Sequence, residues 1–170
     1  MKVLIILLGG LLLVGWKAPT SNSYSIPKHN YRRDADVQKS MFGLNWKTPK
    51  GWQEIVPGKN NKLLFQADAA TCRVFQSASK LNDINRYYVQ LGRRKINYRQ
   101  VKRLSKQVML KDQRFEFIDI RSPSRYRRKR CVIAVRESRQ GTWMFVLIGP
   151  VKDVTKHYRR FRSLVQNSNV

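Results

Sequence analysis

The chain has 170 residues, with 35 Lys+Arg against 10 Asp+Glu, a net charge of +25. Its hydrophobic content is 42% and its aromatic content 11%, which excludes a disordered basic tail and gives the chain enough apolar surface for a core. A folded chain of this charge carries a strong positive field, so its partners are sought among polyanions.

Lys2 is followed by an uncharged run of 14 residues, Val3 to Trp16. A membrane-crossing helix needs about 20 apolar residues, so the run fits the basic and apolar regions of a secretory signal better than a span. Residues 1–23 are therefore expected to be a signal peptide or an uncleaved N-terminal anchor. Residues 24–40 read as a polar linker, residues 41–166 as one domain and 167–170 as a tail. Export, to the periplasm or the outside, puts anionic lipid, acidic glycans and envelope proteins within reach and chromosomal DNA out of it.

Within the domain, Leu44-Asn45-Trp46-Lys47 starts a strand that turns at Pro49-Lys50-Gly51. Residues 63–67 and 72–76 form a predicted strand pair with a short turn. The period then changes: Leu81, Ile84, Tyr87/Tyr88 and Leu91 make one helical face, with Asn82 or Asp83 to cap its start and Gly92 to end it. Val101 to Leu110 alternates loosely and reads as a strand, followed by residues 114–120. Residues 130–136 and 142–148 are apolar on both faces and read as buried central strands. Gly149-Pro150 ends the last strand and opens a helix carrying Val151, Val154, Tyr158, Phe161 and Leu164/Val165. The expected fold class is α+β, a mostly antiparallel sheet of six to seven strands with two packed helices.

The segments Trp46-Lys47-Thr48-Pro49-Lys50-Gly51-Trp52, Asp83 to Gly92, and Trp143-Met144-Phe145-Val146-Leu147-Ile148-Gly149-Pro150 running into the last helix resemble the PsbP-like α/β/α group, which includes bacterial envelope proteins of the DcrB type. The resemblance covers residues 41–166. It implies a non-enzymatic accessory or binding domain outside the cytoplasm, without fixed catalytic residues. Two departures stand out: there is no lipoprotein cysteine after the apolar run, and the loops are more basic than the group requires.

The two cysteines, Cys72 and Cys131, are a candidate disulfide in an exported chain; the other reading is two buried thiols. A metal site is not expected, because Cys72, Cys131, His29 and His157 make no ligand spacing. No cofactor motif is present. The acids are scattered among basic neighbours, Glu116 and Asp119 fall on opposite faces of one strand, and His157 reads as an exposed helical histidine, so no catalytic set is expected.

The basic residues are clustered. Arg93, Arg94, Lys95, Arg99, Lys102 and Arg103 form one run without an acid among them. Arg121, Arg125, Arg127, Arg128, Lys129 and Arg130 form a second. Lys152, Lys156, Arg159, Arg160 and Arg162 line the last helix around Asp153. Arginine forks suit phosphate, sulfate and carboxylate groups. The candidate anion contacts are Arg93, Arg94, Lys95, Arg99, Arg125, Arg127, Arg128, Lys129, Arg130, Lys156, Arg159 and Arg160. The expected partner is an anionic envelope surface or component, a glycan or an acidic protein, with peripheral membrane contact as a further option. The interleaved Tyr98 and Tyr126 keep nucleic acid as the alternative partner.

Overall fold

Two long strands without a polar face have to be covered on both sides, and this requirement organises the molecule. The computed structural model describes residues 39–41, 44–55, 63–123 and 128–168, all within a compact unit that begins at Arg33. The expected signal or anchor, most of the expected linker and the last residues of the tail lie outside the described residues.

The strands are β1 (Lys39–Met41), β2 (Leu44–Trp46), β3 (Gln53–Ile55), β4 (Leu63–Ala67), β5 (Ala70–Ser77), β6 (Lys106–Leu110), β7 (Gln113–Arg121), β8 (Lys129–Ser138) and β9 (Gly141–Pro150). The helices are α1 (Lys80–Gln90), α2 (Tyr98–Leu104) and α3 (Val151–Asn167). β1 and β2 form a small hairpin, and the other seven strands form one antiparallel sheet in the order β3-β4-β5-β9-β8-β7-β6. The doubly apolar β8 and β9 lie inside the sheet, as their composition demands.

Alternate residues of β9 serve different cores. Trp143, Phe145 and Leu147 face α3, which contributes Val154, Phe161, Leu164 and Val165 to a core closed by Leu44 and Trp46 of β2. Met144, Val146 and Ile148 face the opposite way, against Ile84, Tyr87 and Tyr88 of α1, Leu91 just after it and Val101 of α2. The result is an α/β/α sandwich. Each fully buried large apolar side chain is worth about 1.5–3 kcal/mol, so both helical layers are held by burial rather than by helix propensity.

This register corrects the candidate disulfide. Cys72 pairs with Leu147 and belongs to the α3 side; Cys131 pairs with Ile148 and belongs to the α1 side. β9 lies between them, and two strand spacings are about 9–10 Å, beyond disulfide reach. Both are buried free thiols, and burial pushes both well above the ordinary thiol pKa.

Three elements were not expected. β1 and β3 are short strands outside the sequence patterns read as strands. α2 occupies residues where a strand was expected to begin, so that strand starts only at Lys106. The cause of α2 is local: the Asn97 side chain accepts from Gln100 N–H, and Gln100 Oε1 accepts from Asn97 N–H. This reciprocal capping box starts a helix in spite of the alternating apolar residues that follow. α1 starts earlier than expected, with Ser79 rather than Asn82 or Asp83 at the N-cap position; Asp83 lies in its first turn and accepts Ser77 Oγ–H at 2.6 Å. Gly92 does end α1: its φ of +72° lets Arg93 N–H reach Tyr88 O and Gly92 N–H reach Val89 O, both at 2.9 Å. At the end of β9, a Cβ on Gly149 would stand 2.7 Å from Ala70 Cα, so only glycine lets β5 and β9 close there.

Candidate functional site

One end of the sheet gathers chain segments far apart in sequence. β7 ends there at Arg121, opposite Arg130 at the start of β8, and Lys129 stands opposite Pro150 at the end of β9. The turn between β4 and β5, carrying Asp68, is at the same end, since Thr71 pairs with Ile148. α1 arrives at this end and α3 leaves from it. Arg93 Nε–H donates to Arg121 O at 2.6 Å, and Val151 N–H donates to Arg128 O at 3.0 Å. These bonds bring parts of all three basic runs together: Arg93 and Arg94 after α1, Arg121, Arg128 and Lys129 at the β7–β8 connection, and Lys152 in the first turn of α3.

The β7–β8 connection is pinned at its base. Ser122 N–H donates to Lys129 O at 3.0 Å and Lys129 N–H to Ser122 Oγ at 2.9 Å. Arg125 and Arg127, beyond that base, lie outside the described residues. Arg93, Arg94, Lys95, Arg128, Lys129, Arg159 and Arg160 are all exposed.

Two of the acids at this end are engaged internally. Asp119 holds Arg130 in a two-pronged pair, Nε to Oδ1 at 3.0 Å and Nη2 to Oδ2 at 2.6 Å. Arg130 Nη1 donates to Thr155 Oγ1 at 3.0 Å, and the guanidinium lies over the Tyr158 ring at 5.4 Å. Arg130 was expected as an anion contact. It is instead 9% exposed and serves as the bolt between β8, β7 and α3. The hydrogen bonds it donates to Asp119 raise its pKa further, so it stays charged.

Asp68 accepts from Lys156 Nζ at 2.7 Å and from His157 Nε2 at 2.9 Å. Lys156 first and His157 second hold the Asp68 carboxyl down at about 2. His157, expected on an exposed helical face, is 2% exposed. Its Nδ1 accepts from Trp52 Nε1–H at 3.1 Å, which assigns the ring proton to Nε2, where it is donated to Asp68. The chain Trp52–His157–Asp68–Lys156 thus ties the β2–β3 connection, α3 and the β4–β5 turn together. Sequence reading missed it because Trp52 and Asp68 are remote from His157 along the chain. The only sequence signal was the placement of His157 between Val154 and Phe161, at a position next to the apolar stripe.

Arg99 is not part of the gathered end. Asn85, buried on α1, holds the returning segment through both of its amide atoms: Nδ2–H donates to Ile96 O at 3.0 Å and Oδ1 accepts Ile96 N–H at 2.8 Å. By Tyr98 the chain is back at the start of α1, with the Tyr98 ring 5.9 Å from Lys80 Nζ. The 11 residues of α1 span about 16 Å, so the first basic run is split between two ends. Between the returning segment and α1 lies an open cleft of about 350 Å³ lined by Asn82, Asn85, Arg86, Val89 and Lys95. Among the described residues no three His, Cys, Asp or Glu side chains group as metal ligands.

The architecture is that of a PsbP-like fold. No family model matches the sequence, and no curated protein matches it. A solved structure, the cyanobacterial PsbP (CyanoP) of Synechocystis sp., superposes with a TM-score of 0.50 at 10% identity, covering 79% of this chain and 91% of that one. A crystal structure from Bacteroides thetaiotaomicron matches at a TM-score of 0.49 and 11% identity over 77% of this chain; the match spans 46% of that longer protein. A Pseudomonas aeruginosa protein of unknown function matches at a TM-score of 0.39 and 13% identity, covering 76% of this chain and 93% of that one. No helix among the described residues is long and apolar enough to cross a membrane.

Proposed function

We propose that the protein is an exported, non-catalytic accessory protein that docks the basic end of its sheet on an anionic envelope component or an acidic partner protein. One observation carries this reading. Parts of three basic runs meet at one end, while the exposed Asp68 and Asp119 there are each already paired with a cation of their own. The surplus cations face solvent, where a bound polyanion relieves their mutual repulsion. The signal-like residues 1–16 support export, and the likeness of fold to CyanoP fits an accessory role.

The test is fractionation of cells making the full chain. The protein is expected in the envelope fraction at low salt and in the soluble exported fraction at high salt, because exposed charges are screened beyond about 8 Å at physiological ionic strength. Arg94→Gln/Arg128→Gln/Lys129→Gln should release it at low salt. Retention unchanged by salt and by the triple substitution would overturn the docking surface, and recovery from the cytoplasm would overturn export.

A further inference from the structure

The cationic surface is not confined to the end of the sheet. On one side, Lys152 and Arg159 continue from the basic end up the exposed face of α3, with Lys156 between them paired to Asp68. On the other side, Lys95 and Arg86 continue from Arg93 and Arg94 into the cleft along α1. α1 and α3 cover opposite faces of the sheet, so the two extensions are separated by two layers of about 10 Å each. A flat bilayer resting on the end of the sheet meets neither extension in full. A flexible chain passing over that end meets both.

The cleft also has a chemistry of its own. Asn82 offers an amide, Val89 an exposed aliphatic surface (53% exposed), and Arg86 and Lys95 two cations. Arg86 has only a long contact to Asp83, at 3.5 Å, with its side chain 65% exposed. The segment that carries Lys95 is fixed by the paired Asn85–Ile96 hydrogen bonds, so the cleft is pre-formed. An amide for hydroxyl groups, an aliphatic patch for C–H edges and cations for an acid suit a sugar ring bearing a carboxylate, sulfate or phosphate. Stacked bases would instead call for open aromatic faces. The Tyr158 ring already faces Arg130, and the Tyr98 ring, 60% exposed, lies off this track at the start of α1.

We infer that the anionic partner is a linear acidic polysaccharide, which seats one ring in the α1 cleft, crosses the basic end and runs up the α3 ridge. This rests on the docking function proposed above and names the class of its partner.

The test uses the full-length secreted protein and three probes of matched charge: polygalacturonate fragments of graded length, oligothymidylate and phosphatidylglycerol vesicles. Affinity for polygalacturonate should rise with fragment length and then level off, as linked sites act together. Arg86→Gln/Lys95→Gln in the cleft and Lys152→Gln/Arg159→Gln/Arg162→Gln on the ridge should each weaken long fragments about tenfold, with a shallower salt dependence. Short fragments should feel the cleft pair and not the ridge set. Lys106→Gln/Arg139→Gln, a pair outside this track, should change nothing, and unaltered circular dichroism in every variant separates lost binding from lost folding. Length-independent affinity, long fragments indifferent to the cleft pair, or tighter binding of oligothymidylate or vesicles would overturn the inference and leave polyanion docking standing. Failure of all three probes, and of polyglutamate as an acidic polypeptide, to bind at low salt would overturn both.

Discussion

The two ends of the sheet handle charge in opposite ways. At the end where α1 begins, Lys80 lies between Glu116 and Glu137, the latter at 2.9 Å, and cations and acids meet one another. At the end where α1 finishes, two acids are taken by specific partners, Asp119 by Arg130 and Asp68 by Lys156 and His157, and Asp153 in the first turn of α3 is the third acid there. The exposed Arg93, Arg94, Arg128 and Lys129 there are left as surplus. A net charge of +25 is therefore a poor description of the surface. What matters is which acids are already taken, and the fold decides that.

Removing the bolt at the basic end should have the largest effect. Arg130→Met loses a two-pronged pair and the Thr155 bond, and leaves the half-exposed Asp119 unpaired. A loss of about 2–3 kcal/mol in urea unfolding is expected. The same variant should bind polyanion more weakly than the loss of a buried charge explains, because Asp119 would then cancel a neighbouring surface cation. Unchanged affinity would mean that the pairing of Asp119 with Arg130 has no bearing on binding.

The next effect concerns His157. His157→Leu keeps much of the volume but leaves Trp52 Nε1–H without an acceptor inside the core and Asp68 without one donor. A cost of about 1–3 kcal/mol is expected from thermal or urea unfolding. Polyanion affinity should stay within twofold, roughly the level expected when no exposed charge changes. A variant that kept its stability and lost binding would make the histidine part of the site instead.

Asp68 gives a pH signature at the same end. Its folded pKa of about 2 lies below the ordinary aspartate value of 3.8. A depressed carboxylate pKa adds stability that is complete above the unfolded value and is lost as pH falls through the folded value. The contribution should therefore fade between about pH 4 and pH 2. Asp68→Asn should lower stability at neutral pH, converge with the unsubstituted protein near pH 2, and so flatten that part of the stability-against-pH curve. An identical acid limb in both proteins would show that the pairing with Lys156 and His157 adds nothing to stability.

Most of the sheet was legible in the sequence because it is built from strong local patterns. Residues 130–136 and 142–148 are apolar on both faces, and that composition has one use in a protein of this size. The helical faces of α1 and α3 were legible for the same reason. α2 was not, since Val101 and Leu110 suggested alternation and the capping box of Asn97 and Gln100 outweighed it. The site was legible only in part. Clustering along the chain located the cations, yet it could not show that Arg130 is buried, that Arg99 lies at the other end of α1, or that His157 is sealed against Trp52. Each of those depends on which strands become neighbours. The disulfide failed on the same ground: strand parity and the intervening β9 place Cys72 and Cys131 on opposite faces.

The smallest stability effects should be the most telling about the comparison, because they differ in direction. Lys80→Gln, at the paired end, removes a cation held by two acids and should cost about 0.5–1 kcal/mol, with no change in polyanion binding. Arg94→Gln with Arg128→Gln, at the basic end, removes cations that repel their neighbours. Stability there should hold steady or rise slightly at low salt, and polyanion affinity should fall together with its dependence on salt. Raising the salt should erase the stability difference between this pair and the unsubstituted protein, because repulsion between exposed charges is screened. If neutralising Arg94 and Arg128 destabilised the fold as Lys80→Gln does, their charges would have internal partners too, and the two ends would be alike.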